Sequence, residues 1–172
     1  MHVMVDIETM GTSNDAAIIA IGAVKYNNDG SGWDTFYQAV DLESSVKAGG
    51  KLDPATIKWW LSQSKAAQTA LLTNPLDLLH TLSAFGRFFP KDGLFWGFGA
   101  TFDNVIVRNA YKSVNMVPPW SYKNDRCFRT LVAQHPEVSW AERLGEHHNA
   151  LDDALHQARH HLRIISAVSK LV

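Results

Sequence analysis

With one cysteine, Cys127, in 172 residues, the chain has no partner for an internal disulfide, which fits a reducing compartment and a cytoplasmic location. Long apolar runs are also missing. The longest, Ala16 to Val24, has nine residues, about half of what a membrane-spanning helix needs, so no membrane partner is expected. The amino terminus MHVMVDIE has no basic segment ahead of an apolar stretch, so no targeting signal is read there. Neither charge sign dominates: sixteen Lys and Arg face seventeen Asp and Glu, which excludes the global basic field of a long-tract nucleic-acid binder. Repeats, low-complexity tracts and Pro/Ser-rich linkers are lacking too, and one domain over residues 1–172 is expected. With 46% hydrophobic residues, a chain of this length buries enough surface to fold without staples.

Three β-branched or aromatic-rich segments open the chain: His2 to Glu8, Ile18 to Val24 and Asp34 to Val40, with turn-rich links between them. This predicts an antiparallel meander. After Gly49-Gly50 the pattern turns helical. Asp53 is a predicted N-cap and Pro54 the first helical residue, with Ile57, Trp60 and Leu61 on one face. A second helix is predicted over Lys65 to Leu72. A third follows Asn74-Pro75, with Leu78, Leu79, Leu82, Phe85, Phe88 and Phe89 as its core stripe. Leu94-Phe95-Trp96-Gly97 reads as a short buried strand, and helices are expected at about 103–115, 126–134 and 149–168. The pattern gives an α/β fold, a mixed β-sheet with helices on both faces.

Asp6 and Glu8 lie two apart on the first strand, so the pleat sends both to one side and Val3, Val5 and Ile7 to the other. Two carboxylates on an apolar strand cost folding energy unless a cation sits between them or the strand ends at Val5. Asp103 follows the fourth strand and opens a helix, a place that suits an N-cap or a ligand at the carboxyl end of a sheet. In His148-Asn149-Ala150-Leu151-Asp152-Asp153-Ala154, Asn149 and Asp152 form a capping-box-like pair. Asp153 borders the apolar stripe Ala154, Leu155, Ala158, Leu162 and Ile165, and so points inward or along that edge. His156, His160 and His161 lack the Glu of a zinc-protease helix and read as a polar face. The chain has no G-x-S-x-G, P-loop or dinucleotide fingerprint.

Together, Asp6-Ile7-Glu8, Phe102-Asp103 and His148-x-Ala150-x-x-Asp153-Ala154 resemble the proofreading-type DEDDh exonucleases on a ribonuclease-H-like fold. Within that superfamily the chain looks most like the phage and prophage exonuclease VIII-like branch, itself similar to an actinobacterial exoribonuclease. Asp6 to Gly11, Trp59-Trp60-Leu61, Trp96-Gly97, Phe102-Asp103-Asn104, Asn124-Asp125-Arg126 and His148 to Ala154 carry this likeness. One departure is Gly99, where many members have Asn four residues before the second-motif Asp.

The resemblance implies that Asp6, Glu8, Asp103 and Asp153 hold two Mg²⁺ or Mn²⁺ ions about 4 Å apart and that His148 is the general base. It implies 3′-to-5′ removal of nucleoside monophosphates from single-stranded nucleic-acid ends. The leading expectation is DNA; the alternative is RNA ends or short oligoribonucleotides, and a non-catalytic binding module is the third. Thr9, Met10, Trp59, Phe102 and Asn104 are the candidate substrate contacts. Helical spacing puts Trp60 on the apolar face and Trp59 roughly 100° away, free to stack on a base. Arg108, Lys112, Lys123, Arg126 and Arg129 read either as phosphate contacts or as a solvated face. Trp120 and Trp140 look exposed, which makes a homodimer plausible.

Overall fold

The computed structural model describes residues 1–169. Its centre is a five-stranded sheet of β1 (His2–Thr9), β2 (Ile18–Tyr26), β3 (Asp34–Ala39), β4 (Leu94–Gly97) and β5 (Asp125–Cys127) in the order β3-β2-β1-β4-β5. The first three strands form the expected antiparallel meander, while β4 runs parallel to β1 and β5 parallel to β4. β5 was not expected. Three residues are too short for any alternation to show, and this strand exists because Phe95, Trp96 and Gly97 pair with it. The helix predicted from residue 126 therefore begins later, as α6 (Phe128–Gln134).

Local chemistry sets most helix starts. Asp41 caps an unanticipated short helix, α1 (Leu42–Lys47), by accepting from the N–H groups of Glu43 and Ser44. Asp53 caps α2 (Pro54–Leu61), with Pro54 in the first turn, as expected. Ser64 caps α3 (Lys65–Leu72) and Asp77 caps α4 (Leu78–Phe88). Leu78, Leu82, Phe85 and Phe89 form the buried stripe of α4, whereas Leu79 turns outward. Helices α5 (Asp103–Ser113) and α7 (Ala150–Ser169) complete the set.

The pleat of β1 divides the interior. Val3, Val5 and Ile7 join the cluster built with α4 and α5 on one face, and Met4 joins the cluster built with α6 and α7 on the other. Asp6 and Glu8 share the side of Met4, so both carboxylates face α7. Helix α7 can approach that closely because position 22 is glycine: a Cβ there would lie 2.1 Å from the carbonyl carbon of Ala150.

Two expectations about burial fail. His156, His160 and His161 are buried, not a polar face, because α7 is covered on two sides. His160 and His156 stack on Trp140 with centroids at 3.9 and 5.0 Å, and His161 meets the Tyr26 hydroxyl at 2.8 Å. Trp120 is only 5% exposed. It packs against Phe95 and donates Nε1–H to Asp125 at 2.8 Å, so its place after two prolines does not put it on the surface. Three of the five basic residues from 108 to 129 are also engaged internally: Arg108 pairs with Asp125, Arg126 donates to the Lys123 and Asp125 carbonyls, and Arg129 donates to the Phe98 carbonyl. No helix among the described residues is long and apolar enough to cross a membrane.

Candidate active site

Three chain segments converge at the carboxyl ends of β1 and β4. β1 supplies Asp6 and Glu8. β4 ends at Gly97, and the chain re-enters at α5, whose first residue is Asp103; Phe102, not Asp103, occupies the cap position, with no side-chain capping bond. A Cβ on Gly97 would meet Asn104 Oδ1 at 2.4 Å and the Asp103 Cβ at 2.8 Å, so glycine there lets the start of α5 press onto the strand. The first turn of α7 supplies Asp153, and the loop before it supplies His148.

One ligand atom each from Glu8, His148 and Asp153 lies within 4.8 Å of the others. Asp6 and Asp103 act on the same charges. Burial, then Asp103, Glu8 and Asp153, push the Asp6 carboxyl well above its usual range, against a 2.8 Å hydrogen bond from Gln157 Nε2. Burial, with the Asp153 and Asp103 charges, raises Glu8 to about 8. Burial raises Asp103 to about 7, opposed by backbone N–H groups and by Arg129. Four acids so placed repel one another, and a divalent cation is the natural complement. Glu8 Oε1 is buried with no hydrogen-bond partner among the described residues. A hard cation with oxygen ligands fits that donor set, and soft-metal chemistry does not.

His148 adopts a left-handed backbone, φ 62°, which directs it from the loop toward the acids. Its backbone N–H donates to Asp153 Oδ2 at 3.1 Å, and the other Asp153 oxygen pairs with Arg143. The imidazole packs edge-on against Trp59, centroids 4.7 Å apart. Asn149 Oδ1 accepts from Leu151 and Asp152 N–H groups, but the Asp152 carboxylate turns to the Glu146 N–H, so the capping box is not reciprocal.

Two cavities flank the acids. The one beside Glu8, about 530 Å³, is lined by Thr9, Trp59, Trp60 and Phe102 among others. The one beside Asp6 and Asp153, about 350 Å³, is lined by Phe98, Trp140, Arg143 and His147 among others. Trp59 is 41% exposed, whereas Trp60 is buried and donates Nε1–H to the Thr9 carbonyl at 2.9 Å. Met10 packs against the buried cluster of Ile19, Trp60 and Ala67. Asn104 stands apart from both cavities: it is buried, and its Nδ2 donates to the Phe95 carbonyl and to Asp125. At Gly99, φ 131°, the space an Asn side chain would enter is bounded by the Arg129 guanidinium.

Sequence reasoning passed over Gln157 and Arg143. Gln157 follows Asp153 by four residues, one helical turn along the same face, a spacing that could have found it. Arg143 sits in an irregular loop and carries no such signal.

Comparison with known proteins identifies the fold and the family. The nuclease domain of 3′hExo, a DEDDh family member solved bound to rAMP, is similar in fold, with a TM-score of 0.61 over 96% of this chain and 91% of that one, at 14% identity. Cell-death related nuclease 4 (CRN-4) is similar with a TM-score of 0.52 over 97% of this chain and 64% of that one, at 11% identity. The mixed sheet with helices on both faces is thus the ribonuclease-H-like fold of DEDDh nucleases. No curated protein sequence matches the chain. The model of the 3′-5′ exoribonuclease Rv2179c-like domain matches residues 1–165, and the chain therefore belongs to that family of 3′-5′ exonucleases.

Proposed function

We propose that the protein hydrolyses the last phosphodiester bond at single-stranded 3′ ends, RNA before DNA, and releases nucleoside 5′-monophosphates. The observation that carries this reading is the convergence of Glu8, His148 and Asp153 within 4.8 Å, next to the raised carboxyls of Asp6 and Asp103. The family description supports RNA, which the residues themselves leave open against DNA. Placement in the phage and prophage exonuclease VIII-like branch belongs to the same reading and rests on the segment Asp6 to Gly11 and on Trp59-Trp60-Leu61.

Asp6, Glu8, Asp103 and Asp153 are the residues that would hold two Mg²⁺ or Mn²⁺ ions. Bound there, the ions would supply Lewis-acid polarisation of the phosphate and a water of lowered pKa. His148, held beside Asp153 by its backbone and against Trp59 by its ring, takes the proton of the attacking water. As the water oxygen bonds to phosphorus, the bond from phosphorus to the upstream 3′ oxygen breaks, and that oxygen takes up a proton from solvent. The 530 Å³ cavity receives the terminal nucleoside, with the exposed Trp59 as stacking surface and Thr9, Phe102 and the neighbouring Met10 as wall.

The test is incubation of 5′-labelled single-stranded RNA and DNA of one sequence with Mn²⁺, Mg²⁺ or EDTA, beside Asp153→Asn. The expected result is a metal-dependent ladder shortening from the 3′ end, faster on RNA and lost in the variant. Absence of metal-dependent product on either strand, or an unaltered ladder with Asp153→Asn, overturns the reading.

A further inference from the structure

His148 sits on an irregular part of the chain. Residues 135–149, between α6 and α7, form no helix or strand, and His148 itself holds a left-handed backbone that a residue with a Cβ seldom adopts. Such a conformation persists only where its surroundings fix it. Asp153 supplies part of that support by accepting the His148 N–H, and the edge-on contact with Trp59 supplies another part. The turn that leads into His148 needs a hold of its own.

Asp152 provides it. Consecutive helix residues project about 100° apart, so Asp153 faces the acids of β1 while its neighbour faces the turn. Asp152 Oδ2 accepts the Glu146 N–H at 2.9 Å, and the backbone closes over the carboxylate: a Cβ on Gly145 would lie 2.4 Å from Asp152 Cγ and 2.6 and 2.7 Å from its two oxygens. Gly145 has φ 90°, so glycine serves there both the left-handed backbone and the close approach. The two acids thus take alternate N–H groups of one turn, Asp152 that of Glu146 and Asp153 that of His148. A further tie, from Ser64 Oγ to Glu146 Oε1 at 2.6 Å, joins the turn to the start of α3. Asp152 has no other task in the site. Asn149 caps the first turn of α7 without it, and it lies outside the ligand group of Glu8, His148 and Asp153.

We infer that Asp152 is a positioning residue for His148: with Gly145 it seats the turn that aims the imidazole at the acids. This rests on the reading of His148 as the general base, through which alone Asp152 acts. A misplacement of about 1 Å costs a reaction up to about 10²-fold, and the loss of one tie among several is expected to cost about tenfold.

A double-mutant cycle of Asp152→Ala and His148→Ala, read by hydrolysis of 5′-labelled single-stranded RNA with Mg²⁺, separates positioning from a general structural role. Asp152→Ala is expected to lower kcat about tenfold, with KM and Mn²⁺ affinity within about twofold of the unsubstituted protein, and Asp152→Asn, which keeps an acceptor oxygen, to recover most of the loss. In the His148→Ala background Asp152→Ala is expected to cost nothing further, because the group it positions is gone. Gly145→Ala, which sets a Cβ against the carboxylate, is expected to lower kcat about as much, and provides the test if Asp152→Ala fails to fold. An unaltered kcat in both Asp152→Ala and Gly145→Ala overturns the inference. So does an equal loss with and without His148, or a matching loss of Mn²⁺ affinity, which would put Asp152 behind Asp153 instead. These outcomes leave the exonuclease reading intact. Full hydrolysis by His148→Ala overturns the assignment of the base, and the inference with it.

Discussion

Helix α7 buries polar side chains along two stretches, and the two are handled in opposite ways. In its first turns Asp153 and Gln157 meet Asp6 and Glu8, where like charges crowd together and Gln157, Arg143, Arg129 and a few backbone N–H groups compensate in part. On a neighbouring face of the same helix, starting beside Gln157, His156, His160 and His161 lie among Trp140, Phe128, Trp96 and Tyr26. Burial lowers all three histidines, His161 to about 3, so the rings stay neutral and pack like aromatic side chains. A histidine can shed its charge at neutral pH at little cost, and a group of four carboxylates cannot. The difference separates packing from function: the neutral rings are held by aromatic packing, with three of their nitrogens unpartnered among the described residues, and the acids call for an ion.

The largest effect comes from breaking the acidic half. Asp6→Asn is expected to lower exonuclease turnover by about 10³-fold or more, equivalent to about 4 kcal/mol of lost transition-state stabilisation. The same substitution is expected to raise the melting temperature in EDTA, because it removes a carboxyl whose ionisation burial and its neighbours oppose in the folded state. Kinetics and thermal unfolding together check the pair of outcomes.

Gly22→Ala strikes both halves at once. Its Cβ would sit 2.2 Å from the Leu151 nitrogen as well as against Ala150, so α7 has to lift from β2. A loss of about 3 kcal/mol is expected, read from denaturant unfolding.

The two halves also set opposite pH slopes. The lowered histidines contribute stability that is full above pH 6.5 and is lost as pH falls below it, for His161 down to about pH 3, at up to about 1.4 kcal/mol per pH unit for each while it titrates. The raised carboxyls act the other way: in EDTA, stability is greatest below the usual carboxylate range and falls as pH rises toward 8, through the protons that Glu8 and Asp103 hold. Thermal unfolding across pH 4 to 9 is expected to show a maximum in EDTA, and Mg²⁺ is expected to remove its alkaline limb.

The smallest effect sharpens the contrast. Both ring nitrogens of His160 lack a partner among the described residues, so His160→Leu removes buried polar atoms without breaking a bond. Stability within about 1 kcal/mol of the unsubstituted protein is expected, with hydrolysis retained.

Much of this arrangement is legible in the sequence for a physical reason. The two-residue spacing of Asp6 and Glu8 opposite Val3, Val5 and Ile7 is a pleat written in residue types, and Asp53-Pro54 is a helix start written in capping chemistry. The histidines of α7 misled because a polar residue type is not a solvent-facing position once aromatic rings from a loop and neighbouring elements cover it. β5 was invisible because it is held by its partner strand and not by its own three residues. Asn104, beside the second motif, looks like a contact in sequence, yet it serves inside, tying α5 to Phe95 and Asp125. Arg143 and Trp140 reach the site from an irregular loop, which has no period to read.

The claim that the buried acids exchange protons for metal is tested most directly by calorimetric titration of Mn²⁺ into the protein at pH 7, in buffers of differing ionisation enthalpy. With Glu8 raised to about 8 and Asp103 to about 7, binding is expected to release about one proton or more per protein, and Asp6→Asn is expected to weaken binding and release fewer. Mn²⁺ uptake without proton release, or uptake unchanged in Asp6→Asn, would contradict the account.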